Sequence, residues 1–329
     1  MHKHGDIINM DALSGLKKLS NASVHCCVTS PPYWGLRDYG HDGQIGLEPT
    51  PQGYVDALLP VFAEVARVLR PDGTLWLNLG DSYIGYHGNN KAGNAPSPSD
   101  KAGYRENMRK SSVGVNGLKN KDLAGIPWRM AFALQDAGWY LRCDCIWAKP
   151  NPMPESVTDR PTRCHEYLFL FSRSPRYYYD HKSTREPTVA ALGGRKQGQT
   201  ALTFSRKVNE GIHPNNNNQH REGRKISKRE QQNSTRNRRS VWTVPTRPMR
   251  HAHFATFPPD LIRPCIIAGC PEGGIVLDPF FGAGTVGVVC LEERRRYLGI
   301  EINPNYIKIA QKRINESLFA QRQLFLQCT

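Results

Sequence analysis

A proline-rich loop near the N-terminus carries residue types that could activate an amine. Thr29-Ser30-Pro31-Pro32-Tyr33-Trp34 follows the apolar run Val24–Val28, which predicts a buried strand that ends in this loop. Two consecutive prolines stiffen the loop and leave carbonyl oxygens without a local N–H partner, and the adjacent ring offers a stacking face. Ser30 and a proline carbonyl could hold the hydrogens of an exocyclic amine and localise its lone pair for attack on a methyl group. The alternative is a surface proline turn with one buried ring.

A glycine-rich turn near the C-terminus has the residue types that a bound nucleoside requires. Gly282, Gly284 and Gly287 form a G-x-G-x-x-G pattern between a predicted strand that ends at Asp278 and a predicted helix. The next predicted strand ends at Glu301, whose carboxylate can accept hydrogen bonds from ribose hydroxyls. The ordered series of strand, turn, helix, strand and acid favours a nucleoside-containing cofactor. The alternative is a turn that only tightens the packing of strand on helix.

The glycines alone do not identify the cofactor. NAD would place a pyrophosphate against the N-terminus of the helix, whereas S-adenosylmethionine has the same ribose and adenine without a phosphate. The prefix Asp278-Pro279-Phe280 favours S-adenosylmethionine, because an acid at the end of the first strand can face the methionine ammonium. A dehydrogenase would leave the proline-rich loop unexplained.

Hydrophobic periodicity predicts the elements that must position these loops. Strands are predicted at 24–28, 74–79, 139–148, 166–172, 275–278 and 297–301, and residues 176–180 are expected to pair with the strand at 166–172. Helices are predicted at 54–69, 126–137, 259–269 (with a kink at Pro264), 285–293 and 305–318. Pro71-Asp72-Gly73 predicts a turn. The alternation of strands and helices indicates a mostly parallel sheet covered on both faces.

Positive charge is concentrated in one segment. The 329 residues include 44 Lys and Arg against 29 Asp and Glu, a net charge of +15. Residues 181–250 contain 16 Lys and Arg and 4 Glu, a net charge of +12, whereas the rest of the chain contains 28 and 25, a net charge of +3. Such a segment is either a solvated, partly disordered insertion or a surface for the phosphates of a nucleic acid. Residues 84–120 are rich in polar residues and predict a long mobile loop.

Composition excludes several other classes of protein. No run of about 18 apolar residues exists that could span a membrane, and the N-terminus lacks the apolar core of a secretion signal, so a cytoplasmic protein is expected. The nine cysteines form no C-x-x-C pair, which predicts reduced, buried thiols and neither a disulfide framework nor a zinc site. No metal is expected.

The loop TSPPYW and the turn DPFFGAGT together resemble the catalytic and cofactor motifs of DNA amino-methyltransferases. The catalytic motif comes first, a basic region follows and the cofactor motif comes last, which is the circularly permuted order of the beta class of bacterial restriction–modification and prophage enzymes. The resemblance covers most of the chain outside 84–120 and 181–250. It implies a Rossmann-like α/β methyltransferase domain formed by residues 1–180 and 251–329, with a basic target-recognition insertion at 181–250.

The resemblance also implies roles for individual residues. The catalytic segment would be Ser30, Pro31, Pro32 and Tyr33, with the first two on the target amine and the tyrosine stacked on the base. S-adenosylmethionine would be bound through its adenine by Asp6, through its ribose by Glu301, and around its methionine by Asp278, Phe280, Gly282, Gly284, Thr285, His253, Thr256 and Phe257. DNA would be bound by Arg224, Lys225, Lys228, Arg229, Arg236, Arg238 and Arg239.

The expected activity is therefore site-specific methylation of double-stranded DNA at an exocyclic amine. Such an amine is inaccessible inside a duplex, so the base must be flipped out of the stack. Within the resemblance, SPPY favours the N4 amine of cytosine over the N6 amine of adenine. A cognate restriction endonuclease is a possible partner, in a bacterial, archaeal or phage setting. An alternative from another class is a non-catalytic DNA-binding protein that retains the cofactor fold, but the intact Ser30, Pro31 and Tyr33 argue against it.

Three other features receive structural interpretations. A cytosine C5 methyltransferase would need a cysteine nucleophile, but the one Pro-Cys pair, Pro264-Cys265, falls in a predicted helix and is expected in the core. His165-Glu166 could be an active-site pair, although a role at the entry to a strand is favoured. Trp242 could contact DNA, although packing is the simpler expectation.

Overall fold

A computed structural model describes residues 4–36, 41, 43–84, 117–188, 235–246 and 257–327. The chain divides into two compact units. The first, here called the sheet unit, comprises Met1–Ser183 and Arg239–Thr329, and the second, the insertion unit, comprises Thr184–Arg238. In the described part of the chain no helix is long and apolar enough to span a membrane.

The sheet unit alternates strands and helices along the chain. Its strands are β1 (Gly5–Asn9), β2 (Val24–Thr29), β3 (Leu69–Leu79), β4 (Tyr140–Ala148), β5 (His165–Ser172), β8 (Val241–Thr243), β9 (Ile275–Asp278) and β10 (Arg296–Glu301). Its helices are α1 (Ala12–Lys17), α2 (Pro51–Val68), α3 (Ile126–Asp136), α4 (Pro259–Gly269), α5 (Thr285–Glu292) and α6 (Pro304–Gln327). The insertion unit contributes β6 (Glu186–Pro187) and β7 (Thr235–Arg236), which pair antiparallel.

All eight strands of the sheet unit form one sheet in the order β1-β10-β9-β2-β3-β5-β4-β8. Only the pairs β3–β5 and β5–β4 are antiparallel, and the other five are parallel. The predicted mostly parallel α/β sheet is therefore confirmed. From β9 the chain continues through α5 to β10 on one side, and from β2 it continues through α2 to β3 on the other. The carboxyl ends of β2 and β9 thus form a topological switch point, where such sheets bind ligands.

Two apolar cores cover the two faces of the sheet. One packs α1, α2 and α3 against one face, and the other packs α4, α5 and α6 against the opposite face. Alternate strand residues supply the two cores: Leu75 and Leu77 belong to the first core, while Trp76 between them belongs to the second. The two cores hold the helices against the sheet. The loops that follow the strands lie at the carboxyl edge, which the helices leave uncovered.

Several element boundaries differ from the predicted ones. Helix α2 begins at Pro51, because Thr50 caps it by accepting a bond from the Gly53 N–H, and it ends at Val68. Strand β3 begins at Leu69, and the predicted turn at 71–73 lies within it, where the register with β2 shifts. Helix α4 runs continuously through Pro264. The elements β1 and α1 lack a strong sequence signal and were not predicted.

Other predictions concerned loops and the basic segment. Residues 176–180 do not pair with β5, because the N–H groups of Tyr178 and Asp180 bond to the carbonyls of Asp72 and Ala268. Most of the predicted mobile loop 84–120 lies outside the described residues, but a bridge between Tyr83 and Leu123 joins its two ends. The sheet unit resumes at Arg239, before the expected boundary at 250, because β8 pairs with β4. Trp242 is buried there, with its ring centroid 6.1 Å from that of Trp76.

Candidate active site

The proline-rich loop and the glycine-rich turn meet at the switch point. Strands β2 and β9 are neighbours, with Cys26 and Cys27 in register with Val276 and Leu277. The loop that starts at Ser30 and the turn that starts at Pro279 therefore leave the same edge of the sheet side by side. Two motifs that are 249 positions apart in the sequence thus form one site.

A buried carboxylate joins the two motifs. Asp278 ends β9, and its Oδ1 accepts hydrogen bonds from the Thr29 hydroxyl at 2.7 Å and from the Phe280 N–H at 3.0 Å. Burial raises the pKa of Asp278 to about 7, although both of these bonds lower it. A nearby cation would favour the ionised form of this carboxyl, so the group is suited to a ligand ammonium.

The second acid shapes the glycine-rich turn. Glu301 ends β10, and its two carboxylate oxygens accept bonds from the N–H groups of Gly282 at 2.7 Å and Asn303 at 2.8 Å. Burial raises the pKa of Glu301. Each carboxylate oxygen has a further lone pair, so the acid that orders the turn can also accept from a ligand hydroxyl.

The glycines of the turn have different surroundings. Gly282 has a φ of +51°, and a Cβ there would have no neighbour closer than 3.9 Å. Gly284 has a φ of +76°, and a Cβ there would lie 2.7 Å from the Cβ of Ala310 on α6. Gly287 is similarly close to Ile314. Gly282 therefore presents an open backbone at the site, whereas Gly284 and Gly287 let α5 pack closely against α6.

A cavity of about 300 Å³ lies between the two loops. Its walls include most of the residues predicted for catalysis and cofactor binding: Ser30, Pro31, Pro32, Tyr33, Phe257, Asp278, Phe280, Gly282, Thr285 and Glu301. Gly284 and Asp6 do not line it. Asp6 lies within β1, opposite Leu298, and Asp11 lines the cavity instead. The predicted His253 and Thr256 lie outside the described residues.

Asp11 has a local signal that the sequence analysis did not use. It caps the N-terminus of α1, where its Oδ1 accepts a bond of 2.8 Å from the Ser14 N–H. An aspartate directly before an apolar helix is typical of a helix cap, because its side chain can accept a bond from the N–H three residues later. Because β1 ends beside β10, this cap lies at the same edge of the sheet as Glu301.

Tyr33 belongs to a polar cluster behind the cavity. Its hydroxyl donates to Glu166 Oε2 at 2.6 Å and lies 3.1 Å from Asn78 Oδ1. Glu166 also forms an ion pair with Lys149. Burial raises the pKa of Tyr33 well above its ordinary value, and the Glu166 carboxylate raises it further. The pair His165-Glu166 thus starts a strand, as favoured, but Glu166 also contacts Tyr33 of the proline-rich loop.

One proline carbonyl already has a partner. The Pro32 carbonyl accepts a bond of 2.8 Å from the Tyr54 hydroxyl on α2. This bond anchors the loop to the first core, in which Tyr54 is fully buried. The carbonyl of Pro31 is therefore the better acceptor for a ligand amine.

The remaining candidates are Cys265, metal-ligating groups and the basic residues predicted to bind DNA. Cys265 is fully buried in α4, where its thiol donates to the Leu261 carbonyl at 3.6 Å, as expected of a core residue. Among the described residues, no group of three or more His, Cys, Asp or Glu side chains could hold a metal ion. Arg224, Lys225, Lys228 and Arg229 lie outside the described residues, whereas Arg238 and Arg239 are exposed. Arg236 pairs with Glu186 at 2.8 Å.

Comparison with known proteins identifies the family. Residues 24–312 match the N6/N4 methyltransferase family model, described as DNA methylase. The chain belongs to this family. It is 50% identical to the type II methyltransferase M.XycI of Xanthomonas campestris pv. cyanopsidis over 304 residues, which covers 92% of this chain and 85% of that one. It is 44% identical to M.SmaI of Serratia marcescens, with coverage of 94% and 90%. The protein is thus a DNA methyltransferase, and DNA is its substrate.

Solved structures share the fold. The PvuII DNA methyltransferase, described as cytosine-N4-specific, matches with a TM-score of 0.59 and 18% identity over 94% of this chain and 86% of that one. A DNA modification methylase from Thermus thermophilus, crystallised with S-adenosyl-L-methionine, matches with a TM-score of 0.55 and 21% identity over 95% of both chains. The sheet order and its switch point are therefore those of a methyltransferase fold.

Proposed function

We propose that this DNA methyltransferase transfers a methyl group from S-adenosylmethionine to the N4 amine of a flipped cytosine. The observation that carries the proposal is the cavity in which Ser30 and Pro31 face the same space as Asp278, Gly282 and Glu301. An amine-binding loop and a nucleoside-binding turn in one cavity suit the direct transfer of a group between two bound molecules.

The cavity residues fit the cofactor that the family uses. A carboxylate with a pKa near 7, Asp278, suits the methionine ammonium, and the Glu301 carboxylate suits the ribose hydroxyls. The open backbone at Gly282 admits a ligand where a side chain would intrude. When bound, S-adenosylmethionine supplies a methyl group on a positively charged sulfur. The protein has to hold this donor opposite the amine and to activate the amine for attack.

Activation of the amine is assigned to Ser30 and Pro31. The lone pair of an exocyclic amine is delocalised into the ring, so the free amine is a poor nucleophile. Two acceptors, the Ser30 hydroxyl and the Pro31 carbonyl, would bind its two hydrogens and draw the nitrogen towards tetrahedral geometry. The sulfur–methyl bond would break as the nitrogen–methyl bond forms, and the nitrogen would then release one of its two hydrogens as a proton to solvent. The Tyr33 ring would stack on the flipped base. This stacking would offset the few kcal/mol that it costs to remove the base from the duplex.

The choice of cytosine rests on the serine at position 30. A hydroxyl accepts from the amine and can also donate to the adjacent ring nitrogen, whereas an ionised aspartate only accepts. Adenine N1 is also such an acceptor, so adenine N6 is the second candidate. The cytosine-N4-specific description of the structurally similar PvuII enzyme favours the first.

Product analysis tests this choice directly. A plasmid methylated by the purified protein should contain N4-methylcytosine on nucleoside analysis, and single-molecule sequencing should locate it at one recognition sequence. N6-methyladenine as the sole product would overturn the assignment of the base and leave the fold and the cavity unchanged. Ser30→Ala should lower the rate of methyl transfer far more than the affinity for the cofactor, because the serine acts on the amine and not on the donor.

The partner of this activity is proposed to be a cognate restriction endonuclease, since the relatives M.XycI and M.SmaI are type II methyltransferases. Methylation at the recognition sequence would then protect DNA from that nuclease. A plasmid methylated to completion should resist a nuclease that cuts this sequence, and the unmethylated plasmid should be cut.

A further inference from the structure

We propose that Glu166, paired with Lys149, is a positioning residue that holds the Tyr33 ring in the orientation that receives the flipped base. The proposal rests on the proposed function, in which Tyr33 stacks on that base. The proposal adds two residues, Glu166 and Lys149, to the site. They lie on the side of the Tyr33 hydroxyl and do not line the cavity. On the sequence alone, Glu166 is a candidate for an active-site pair with His165, although a role at the entry to a strand is favoured, and Lys149 is not singled out.

The Glu166 carboxylate accepts hydrogen bonds from three donors. Oε2 accepts from the Tyr33 hydroxyl at 2.6 Å and from Asn78 Nδ2 at 3.2 Å, and Oε1 accepts from Lys149 Nζ. The Glu166 side chain is 12% exposed. A hydrogen bond to an ionised acceptor is roughly twice as strong as one between neutral groups. The tyrosine hydroxyl is therefore firmly held at this carboxylate.

One edge of the Tyr33 ring lies against the backbone that follows β3. A Cβ at Gly80 would lie 2.6 Å from Tyr33 Cε2, so the ring edge lies against this glycine. Asn78, two residues earlier and almost fully buried, bonds to the Tyr167 carbonyl at 3.0 Å as well as to Glu166. The ring is thus held at its hydroxyl and along one edge, it packs against the first core, and it also lines the cavity.

Lys149 balances the negative charge of the Glu166 carboxylate. Strands β4 and β5 place Trp147 in register with Glu166, and Lys149 follows directly after β4. The ammonium of Lys149 lies 4.4 Å from the centroid of the Trp147 ring, where the cation is attracted to the face of the indole. A largely buried ion pair adds little to stability in general. Its contact with the catalytic tyrosine points to a role in preorganising the site.

A double-mutant cycle measures whether Glu166 acts through Tyr33. The rate of methyl transfer in a single turnover is compared for wild type, Glu166→Gln, Tyr33→Phe and the double variant. We expect Glu166→Gln alone to lower the rate by up to about 100-fold, the loss that a misplacement of about 1 Å can cause, without a change in cofactor affinity. In the Tyr33→Phe protein, which has no hydroxyl to position, Glu166→Gln should cause no further loss.

A fluorescent cytosine analogue at the target position reports the orientation of the ring. Its fluorescence is quenched when the flipped base stacks on Tyr33, and Glu166→Gln should relieve this quenching. Glu64→Gln is the matched control, because Glu64 forms a comparable ion pair with Arg67 on α2 and does not line the cavity. The control should leave both the rate and the fluorescence unchanged.

Two results would overturn the proposal: a Glu166→Gln rate equal to that of wild type, or losses that multiply in the double variant. If Glu166→Gln does not fold, Lys149→Met takes its place in the same cycle, with the same expectations. Failure of the proposed function is distinguished by the wild-type product. Wild-type protein that forms no N4-methylcytosine refutes the assigned base, whereas normal wild-type product with independent losses refutes only the role of Glu166.

Discussion

The Thr29 hydroxyl donates a hydrogen bond of 2.7 Å to the Asp278 carboxylate. These residues end β2 and β9, which are adjacent in the sheet although the two positions are 249 apart in the sequence. The bond joins the proline-rich loop to the glycine-rich turn at the switch point. It also lowers the pKa of Asp278, which burial raises to about 7. One hydroxyl therefore affects both the geometry of the site and its charge.

Removal of that hydroxyl should move the pH dependence of cofactor binding. In Thr29→Val, the pKa of Asp278 should rise above 7, because one of the bonds that stabilise the carboxylate is removed. On the proposed function, the ionised form of Asp278 binds the methionine ammonium, so the affinity for S-adenosylmethionine should rise with pH, and the midpoint of this rise should be higher in the variant. Calorimetric titrations between about pH 6 and pH 9 measure this midpoint. Thr74→Val, another buried threonine of the sheet, is the control and should leave the midpoint in place.

Neutralisation of Asp278 should stabilise the cofactor-free protein at alkaline pH. The folded-state pKa of about 7 lies above the ordinary aspartate value of 3.8, so between these values the folded protein binds more protons than the unfolded chain. Stability is therefore lost as the pH rises from about 4 to 7, by an amount on the order of a few kcal/mol. Asp278→Asn should resist urea better than wild type at about pH 8, and the difference should shrink at about pH 5.

The same Asp278→Asn variant should lose affinity for S-adenosylmethionine at about pH 8, because it lacks the negative charge, and the loss should be smaller at about pH 5, where wild-type Asp278 is largely protonated. Equal urea midpoints for the two proteins at the alkaline pH would argue against a raised pKa. Retained affinity at that pH would argue against contact between Asp278 and the ammonium.

The two glycines that begin the cofactor turn should respond differently to alanine. At Gly284 the added methyl group would meet Ala310 and the φ of +76° would be strained, so Gly284→Ala should lower stability by at least about 2 kcal/mol. At Gly282 the methyl group has space but projects at the site, so Gly282→Ala should cost only about 1 kcal/mol of stability. Cofactor affinity should fall more in Gly282→Ala. Thermal melts and calorimetry on both variants separate the effects, and the reverse ranking would contradict this assignment.

The sequence predicts those parts of the molecule that depend on local patterns. The loop after β2 and the turn after β9 each follow an apolar strand, and the acid Glu301 ends another, so each could be placed at a strand end from its immediate neighbours. Their meeting in one cavity follows from the order of strands, which no local pattern encodes. The bond between Tyr33 and Glu166 spans 133 residues, so no local pattern reveals it, and the sequence favours a role at the entry to a strand over an active-site pair.

Two further differences have similar causes. Strand β8 lies in a basic, polar context that indicates an insertion, yet Trp242 packs on Trp76 and its strand joins the sheet edge. Tertiary packing there outweighs the local composition. The resemblance assigns Asp6 to the adenine of the cofactor, but the pairing of β1 with β10 places this residue within a strand, and the next acid, Asp11, lines the cavity.

Gly80→Ala should impair catalysis without weakening cofactor binding. The added methyl group would lie 2.6 Å from Tyr33 Cε2, so the ring must move from its position beside the cavity. We expect the rate of methyl transfer to fall by about 10- to 100-fold, while calorimetry gives an unchanged affinity for S-adenosylmethionine. A circular dichroism spectrum and a thermal melt confirm that the variant folds. An unchanged rate would show that the ring position is not critical.

The basic segment should supply much of the electrostatic affinity for DNA. Arg236 is an unsuitable site for the test, because charge reversal there would also break its ion pair with Glu186. Arg238 and Arg239 are exposed, so Arg238→Glu with Arg239→Glu should weaken DNA binding. The dependence of log Kd on log salt should fall by roughly 2, about one for each phosphate that is no longer neutralised. Cofactor affinity should not change.

Lys17→Glu with Lys18→Glu is a control with the same change in charge, at exposed positions at the end of α1, away from the carboxyl edge of the sheet. Binding of labelled duplex DNA, measured by fluorescence anisotropy from about 50 to 300 mM salt, should separate the two double variants. Equal salt slopes for both would mean that only the overall charge matters and that Arg238 and Arg239 do not touch the DNA backbone.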